Sequence, residues 1–500
     1  MQRKVPIFYS ALMLTGVNLL LRFVSTGFQV YLSGCIGAAG IGLLQLVLSV
    51  GALSTTAGMA GIRTSTMYLT AEALGKKRPG HVRWVLSGCV TYSILCSSTI
   101  ALGLHFFADK LALYWIGEPA TADAIRLYAS FVPVFCLCGV MTGYFTAANR
   151  IGTLAAVEVA EQFFCMAVTV LFLKVLGSSD PATACQCVIM GSGSCACLTL
   201  CCLVILRLRE DNPIVPRIPT RSPLLQTAVP LALADDLKAG ISTTENLMVP
   251  KRLALFSGTK DALAAFGTVI GMVFPVLMFP AAILFGLAEL LIPELARCAA
   301  AGSQRRIRYL VKRGLKVALL YGCIMAGFEF LLADHLCMRL YRSIEAGRFL
   351  RLYAVLIPML YCDALTDAMT KGLGQQKACV RYNIITSLMD VVLLFFLLPH
   401  YGMVGYFFSF LVTHVLNFGL SLRRLLQITG CRIRPVKPLV AIGGTCFAAG
   451  MAWMLQSPVV RIGAFTSAWI CAQTLTGVVG KEDLQWLKGL VIKKGAVLQK

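Results

Sequence analysis

Charge is scarce in this sequence and acid is scarcer: only 14% of the 500 residues are Asp, Glu, Lys or Arg, and 23 acids face 45 bases. A soluble domain carries about a quarter charged residues, so an ordinary water-facing surface is excluded. Histidines number five and are scattered. There is no HExxH, Walker A or GxSxG pattern and no extended hydrophilic domain, which removes the common soluble enzyme classes. No basic patch is interleaved with aromatics, so the net charge of +22 does not point to nucleic acid.

What the chain has instead is hydrocarbon. Hydrophobic residues make up 58%, and the mean hydropathy is +0.77. Since a bilayer core of about 30 Å takes roughly 20 apolar residues per helix, the apolar runs predict an all-α polytopic membrane protein of about 14 transmembrane helices. The expected spans are 6–32, 41–70, 84–107, 126–148, 153–175, 183–206, 224–250, 263–293, 314–332, 350–371, 380–398, 402–422, 438–456 and 460–479. Most Lys and Arg fall on one side of this layout. That bias is expected to place both termini on the cytoplasmic side of the cell membrane, facing an anionic inner leaflet. Although the chain has twenty cysteines, most lie within spans, as small hydrophobes do, and Cys185-x-Cys187 and Cys195-x-Cys197 lack partner histidines for zinc. Leu32-Ser33-Gly34-Cys35 resembles a lipobox, but the preceding apolar run is too long for a signal peptide and holds Arg22, so the first span is expected to be retained.

The chain repeats itself. Residues 106–133 align without a gap to 331–358, with eight of 28 positions identical, including Ala108-Asp109-x-Leu111 with Ala333-Asp334-x-Leu336 and Arg126-Leu-Tyr-Ala-x-x-x-Pro133 with Arg351-Leu-Tyr-Ala-x-x-x-Pro358. A repeat of six helices keeps its orientation in the bilayer. Two parallel six-helix lobes, 1–222 and 223–435, are therefore expected, followed by two extra helices and a cytoplasmic tail over 436–500. Such a pair of repeats is a common transporter architecture.

A charge at the bilayer centre costs at least about 2.5–3.5 kcal/mol on insertion scales, so charges within spans mark cavities or partners. Asn18, Arg22, Ser25 and Gln29 form one helical stripe in span one. Span two shows Thr56, Arg63, Thr66 and Thr70, and span seven Asp235, Lys238, Ser242 and Glu245. Further polar stripes occur in span five (Glu158, Glu161, Gln162), span ten (Asp363, Asp367, Thr370) and span eleven (Asn383, Thr386, Asp390). Guanidiniums hold phosphate in a bidentate fork, so Asn18, Arg22, Gln29, Arg63 and Lys238 are the candidate substrate-binding residues. Glu158, Glu161, Asp235, Glu245 and Asp390 are candidates for ion coupling or charge balance, by Na⁺ or H⁺, with no other cofactor expected. Structural pairing, such as Asp235 with Lys238, competes for each acid. Pro230, Pro250, Pro275, Pro280 and Pro293, with Gly240, Gly267 and Gly271, mark spans seven and eight as helices that can kink.

The stretches "YLSGCIGAAGIGLLQL", the 243–296 region with "TENLMVPKRLALFSG", and "KGLGQQ" resemble the stage V sporulation protein B group of the oligosaccharidyl-lipid and polysaccharide exporters, relatives of the lipid II flippases. The resemblance implies a monomeric flippase rather than an enzyme. Its substrate would be an undecaprenyl-diphosphate-linked sugar such as a peptidoglycan precursor for spore cortex, and its only other partners membrane lipids. It also implies that Arg22 and Arg63, on the first helices, line a cationic cavity. The acids Asp235, Asp236 and Glu245 depart from that pattern. A drug/cation antiporter, an intramembrane prenyl- or glycosyl-phosphate transferase holding Mg²⁺ on Asp235-Asp236 and Asp363-x-x-x-Asp367, and a scaffold are the alternatives.

Overall fold

The computed structural model describes residues 7–75, 79–176, 180–209, 224–432 and 436–480; the expected cytoplasmic tail beyond 480 lies outside them. Among the described residues every regular element is helical. In chain order these are α1 (Ile7–Met59), α2 (Ile62–Gly75), α3 (Pro79–Phe106), the single turn α4 (Ala108–Lys110), α5 (Ala122–Ala147), α6 (Ile151–Leu176), α7 (Pro181–Leu208), α8 (Leu224–Ser257) and α9 (Thr259–Gly267). After a π-helical turn at Thr268–Val273 come α10 (Phe274–Leu277), α11 (Ala281–Ala300), α12 (Gln304–Tyr341), α13 (Ile344–Ala354), α14 (Ile357–Gly372), α15 (Gln376–Thr429), α16 (Val436–Trp453) and α17 (Pro458–Leu475).

Eight helices are long and apolar enough to cross a membrane, or up to ten if each bent pair is one span, where fourteen spans were expected. The difference has three sources, one of them α17, which is not among the helices long and apolar enough to cross. α1 and α15 run through glycines with non-helical backbone, Gly37 and Gly402. At about 1.5 Å per residue each is long enough for two crossings. α8 falls short because Asp235, Asp236 and Lys238 crowd its first half. The large apolar side chains left exposed, such as Leu95, Phe106, Val175, Leu237, Leu255 and Phe396, are those of a protein solvated by lipid rather than water.

Helix ends follow local chemistry. Asp180 caps α7, accepting from the Thr183 amide at 3.1 Å, with Pro181 in the first turn. The Ser343 hydroxyl likewise accepts from the Ala346 amide at the start of α13.

Packing divides the chain into two compact units, Met1–Pro275 with Asn383–Thr413, and Val276–Tyr382 with His414–Lys500. These do not follow the repeat boundary at 222. Within the first unit, α8 and α9 dock on α1: Thr243 Oγ1 donates to the Ser49 carbonyl at 3.2 Å and Asn246 Nδ2 donates to Ser49 Oγ at 3.1 Å. Within the second, α16 and α17 pack on α12 through Cys323, Leu331, Ala448, Phe465 and Trp469. Trp469 Nε1 donates to Thr445 Oγ1 at 3.0 Å, and Gln473 Nε2 to the Ala441 carbonyl at 2.9 Å.

The repeated motif makes the same contact in each unit. Arg126 Nη2 donates to both Asp109 oxygens at 2.7 and 2.6 Å, and Arg351, at the matching position, pairs with Asp334. The halves then diverge at the shared proline. α5 runs unbroken through Pro133, whereas Pro358 opens α14 after a 59° bend from α13.

Arg126 is a surface pair of low expected value, up to about 1 kcal/mol. Arg351 also stacks over Trp453 at 4.7 Å, a contact worth about 0.5–2 kcal/mol more. Melting temperatures in detergent are expected to fall further for Arg351→Ala than for Arg126→Ala; equal shifts would show that the stacking adds nothing.

Candidate functional site

The first unit gathers the polar groups that apolar helices cannot expose cheaply. Ala60 and Gly61 both have positive φ, 43° and 70°, and they end α1 and start α2 in the middle of an expected span. Gly143 of α5 receives the break: a Cβ there would lie 2.5 Å from the Arg63 carbonyl. With its backbone seated on α5, Arg63 projects its exposed side chain from the first turn of α2. The positive end of that helix and the guanidinium reinforce each other as a place for an anion. Glu158 of α6 is half-buried and close enough to Arg63 to feel its charge.

The other candidates divide by neighbourhood. Arg22 is half-buried on α1. Gln29 is also half-buried, and its Nε2 has no hydrogen-bond partner among the described residues. The side chain of Asn18 lies outside the described residues. Asp235 and Lys238 are exposed on α8, and no ion pair joins them among the described residues. Glu161 is half-buried on α6, and its backbone carbonyl accepts from Cys195 Sγ of α7 at 3.1 Å. Thr66 and Thr70 are fully buried while Arg63 is exposed. The expected single wet stripe on span two is therefore corrected: the two threonines are buried and only Arg63 is exposed.

The structure brings Glu245 of α8 and Asp390 of α15 close enough for their charges to act on each other. Asp390 is buried. Its Oδ1 accepts from Ser409 Oγ at 2.6 Å and from Thr413 Oγ1 at 3.2 Å. Two neighbouring acids among apolar helices repel each other, and a cation placed between them would relieve that repulsion. Two acids and two hydroxyls thus gather at one place in the first unit. Ser409 and Thr413 did not stand out in the sequence; two hydroxyls one turn apart in an apolar run were the signal available.

In the second unit the aspartates considered for Mg²⁺ are otherwise engaged. Asn417 Nδ2 donates to Asp363 at 3.2 Å, and Asp367 pairs with Lys371 at 2.6 Å. All twenty cysteines are free, and many, such as Cys136, Cys185 and Cys362, are buried, in keeping with their reading as small hydrophobes.

Comparison with known proteins agrees with this architecture. The MatE family model matches residues 253–396. The stage V sporulation protein B of Bacillus subtilis (strain 168) is 22% identical over 406 residues, covering 79% of this chain and 78% of that protein. The lipid II flippase MurJ in an inward closed conformation superposes with a TM-score of 0.70 at 10% identity, over 93% of this chain and 98% of that one. An inward-facing multidrug resistance MATE family transporter of the MOP superfamily gives a TM-score of 0.68 at 16% identity, over 83% and 96%. By sequence the chain is similar to stage V sporulation protein B, and its fold is that of the MurJ and MATE transporters.

Proposed function

We propose that this protein is a flippase for an undecaprenyl-diphosphate-linked oligosaccharide, a peptidoglycan precursor used in spore cortex formation, and that it works as a monomer by alternating access between its two repeat halves. The observation that carries the reading is Arg63: an exposed guanidinium at the first turn of a helix broken in mid-span, where a diphosphate would find both bidentate donors and a favourable dipole. Arg22 and Gln29 of α1 and Lys238 of α8 complete the polar lining, while the polyprenyl tail stays in lipid. Glu158 balances Arg63 when no substrate is bound, so the empty carrier returns without a bare charge. Glu245 and Asp390 take up Na⁺ or H⁺ and couple the cycle to its gradient. The likeness to stage V sporulation protein B supports the choice of substrate.

The test is reconstitution of the full chain in vesicles with a labelled polyprenyl-diphosphate sugar, following its accessibility in the outer leaflet. Loss of one charge-assisted contact of about 1.5–3 kcal/mol corresponds to a reduction of roughly ten- to a hundredfold for Arg63→Ala, and a similar loss is expected for Arg22→Ala. Transport unchanged in both variants would remove the basis of the reading. Export of lipophilic cations that survives Arg63→Ala would favour the drug antiporter instead.

A further inference from the structure

A buried acid in the second unit has no part in the proposed cycle. Glu329 of α12 lies within the expected ninth span, yet only 6% of it is exposed, and neither of its carboxyl oxygens has a hydrogen-bond partner among the described residues. The repeat offset of 225 sets it opposite Leu104 of α3, itself 6% exposed. The second unit thus holds a carboxyl where the first holds an alkyl chain. Seven residues from Gly322, Glu329 shares that glycine's face of α12, and the face packs on the break between α13 and α14: a Cβ at Gly322 would lie 2.8 Å from Pro358 Cα. Its sequence neighbours Ala326, Gly327 and Phe330 line an apolar cavity of about 410 Å³ that reaches Trp453 of α16. Tyr321 and Cys337 of α12 lie close enough to feel the charge of Glu329. On the packed helices, Arg351 of α13 pairs with Asp334, and Glu294 of α11 pairs with Arg306. Asp363 of α14 accepts from Asn417, and Tyr361 of α14 donates to the Leu277 carbonyl. Arg461 of α17 donates to the Leu455 carbonyl. The buried Tyr353 and Cys362, with Cys446 of α16, complete the titratable groups near this face.

An ionised carboxylate without a partner is costly among apolar helices, and a proton removes the charge. A protonated carboxyl also gains a donor, in a seam where Pro358 withholds an N–H from the Ala354 carbonyl. We propose that Glu329 is a proton-binding site of the second unit, exchanging its proton with water at the end of α12 where Asp334 pairs with Arg351. Asp334 lies about 7.5 Å further along the helix, and its side chain is exposed. A metal cation fits the place less well, because it takes several oxygen ligands and no cluster of three or more His, Cys, Asp or Glu is present among the described residues. The site does not involve Glu245 or Asp390, so the inference does not rest on the flippase reading.

The test is labelling of the full-length protein in lipid vesicles with dicyclohexylcarbodiimide, an apolar reagent that reacts with a carboxyl carrying its proton. The proton passes to a carbodiimide nitrogen, the carboxyl oxygen adds to the central carbon, and an O-to-N acyl shift leaves a stable N-acylurea that peptide mass spectrometry locates. Label is expected at Glu329 and absent from that peptide in Glu329→Gln. A water-soluble carbodiimide is expected to label the exposed Glu345 instead. Labelling of Glu329 should fall about tenfold for each pH unit above its midpoint, and it should persist in Asp390→Asn. Absence of label at Glu329 throughout the range from about pH 5 to 9, a yield that does not change with pH, or protection by Na⁺ at fixed pH overturns the inference. So does loss of the label in Asp390→Asn, since the proton would then belong to the pair in the first unit. Labelling is read without transport, so failure here and failure of the flippase proposal are separate results.

Discussion

Asp390→Asn is expected to abolish the gradient-dependent part of transport while leaving the protein folded. The substitution keeps the shape of the side chain and an oxygen to accept from Ser409 and Thr413, which lie at 2.6 and 3.2 Å from Asp390 Oδ1. It removes one of the two acids proposed to take up the coupling cation, the other being Glu245. With a single carboxyl left, the pair no longer needs a proton or Na⁺ between its members, and a cation loses its differential affinity for the two states of the carrier. Coupling free energies of about 1–3 kcal/mol correspond to roughly 5–150-fold in affinity, so stimulation by the imposed gradient should vanish rather than fade. Vesicles with an imposed Na⁺ or pH gradient supply the measurement, and the rise in melting temperature on adding the coupling ion supplies a second readout that should be lost in parallel. Ser409→Ala, which removes one neutral donor, is expected to give only a partial loss. Gradient stimulation equal to wild type in Asp390→Asn would exclude this pair as the coupling element.

That element also shows what could be read from the chain alone. Glu245 and Asp390 stood out because a charge within an apolar run is costly wherever it sits, but nothing in their separation of 145 positions said that they meet. Periodicity assigns a residue to a face of its own helix and is silent about the neighbouring helix. Thr66 and Thr70 illustrate the limit: they share Arg63's stripe by arithmetic, yet both are buried, because a short hydroxyl can turn into the bundle where a guanidinium cannot. Ser409 and Thr413 were missed because Thr413 also donates to the Ser409 carbonyl at 2.9 Å, the local bond that any hydroxyl in a helix can make. The break before Arg63 was written as Ala60-Gly61, but one glycine in an apolar run is as easily a packing site as a hinge. The duplication was the most legible feature, since Arg126–Asp109 and Arg351–Asp334 form the same pair in the two units.

Gly267→Val is expected to prevent accumulation of folded protein. The proline- and glycine-rich region of spans seven and eight suggested bending helices, but Gly267 serves close approach instead. A Cβ at this position would lie 2.0 Å from the Ala38 carbonyl and 2.6 Å from the Gly42 amide nitrogen, and one at Gly42 would lie 2.4 Å from the Leu263 carbonyl. These are backbone atoms, which cannot move aside as a flexible side chain would. Relief would require α1 and α9 to separate, and the same stretch of α1 carries Ser49, to which Thr243 and Asn246 of α8 are bonded. Overpacking a core usually costs about 1–3 kcal/mol; a wedge between two backbones should reach or exceed the top of that range, and even Gly267→Ala should be strongly destabilising. Small residues matter more here than in a soluble core, because lipid offers no hydrophobic drive to hold helices together and close packing supplies much of the attraction. Gly240 on α8 makes the contrasting control, since a Cβ there meets nothing within 4 Å. Gly240→Ala should be neutral or stabilising by up to about 1 kcal/mol through helix propensity alone. Monodisperse yield on size-exclusion chromatography and the melting temperature would separate the two glycines. If Gly267→Val were recovered with the wild-type melting temperature, the close approach of α1 and α9 could not be a determinant of stability.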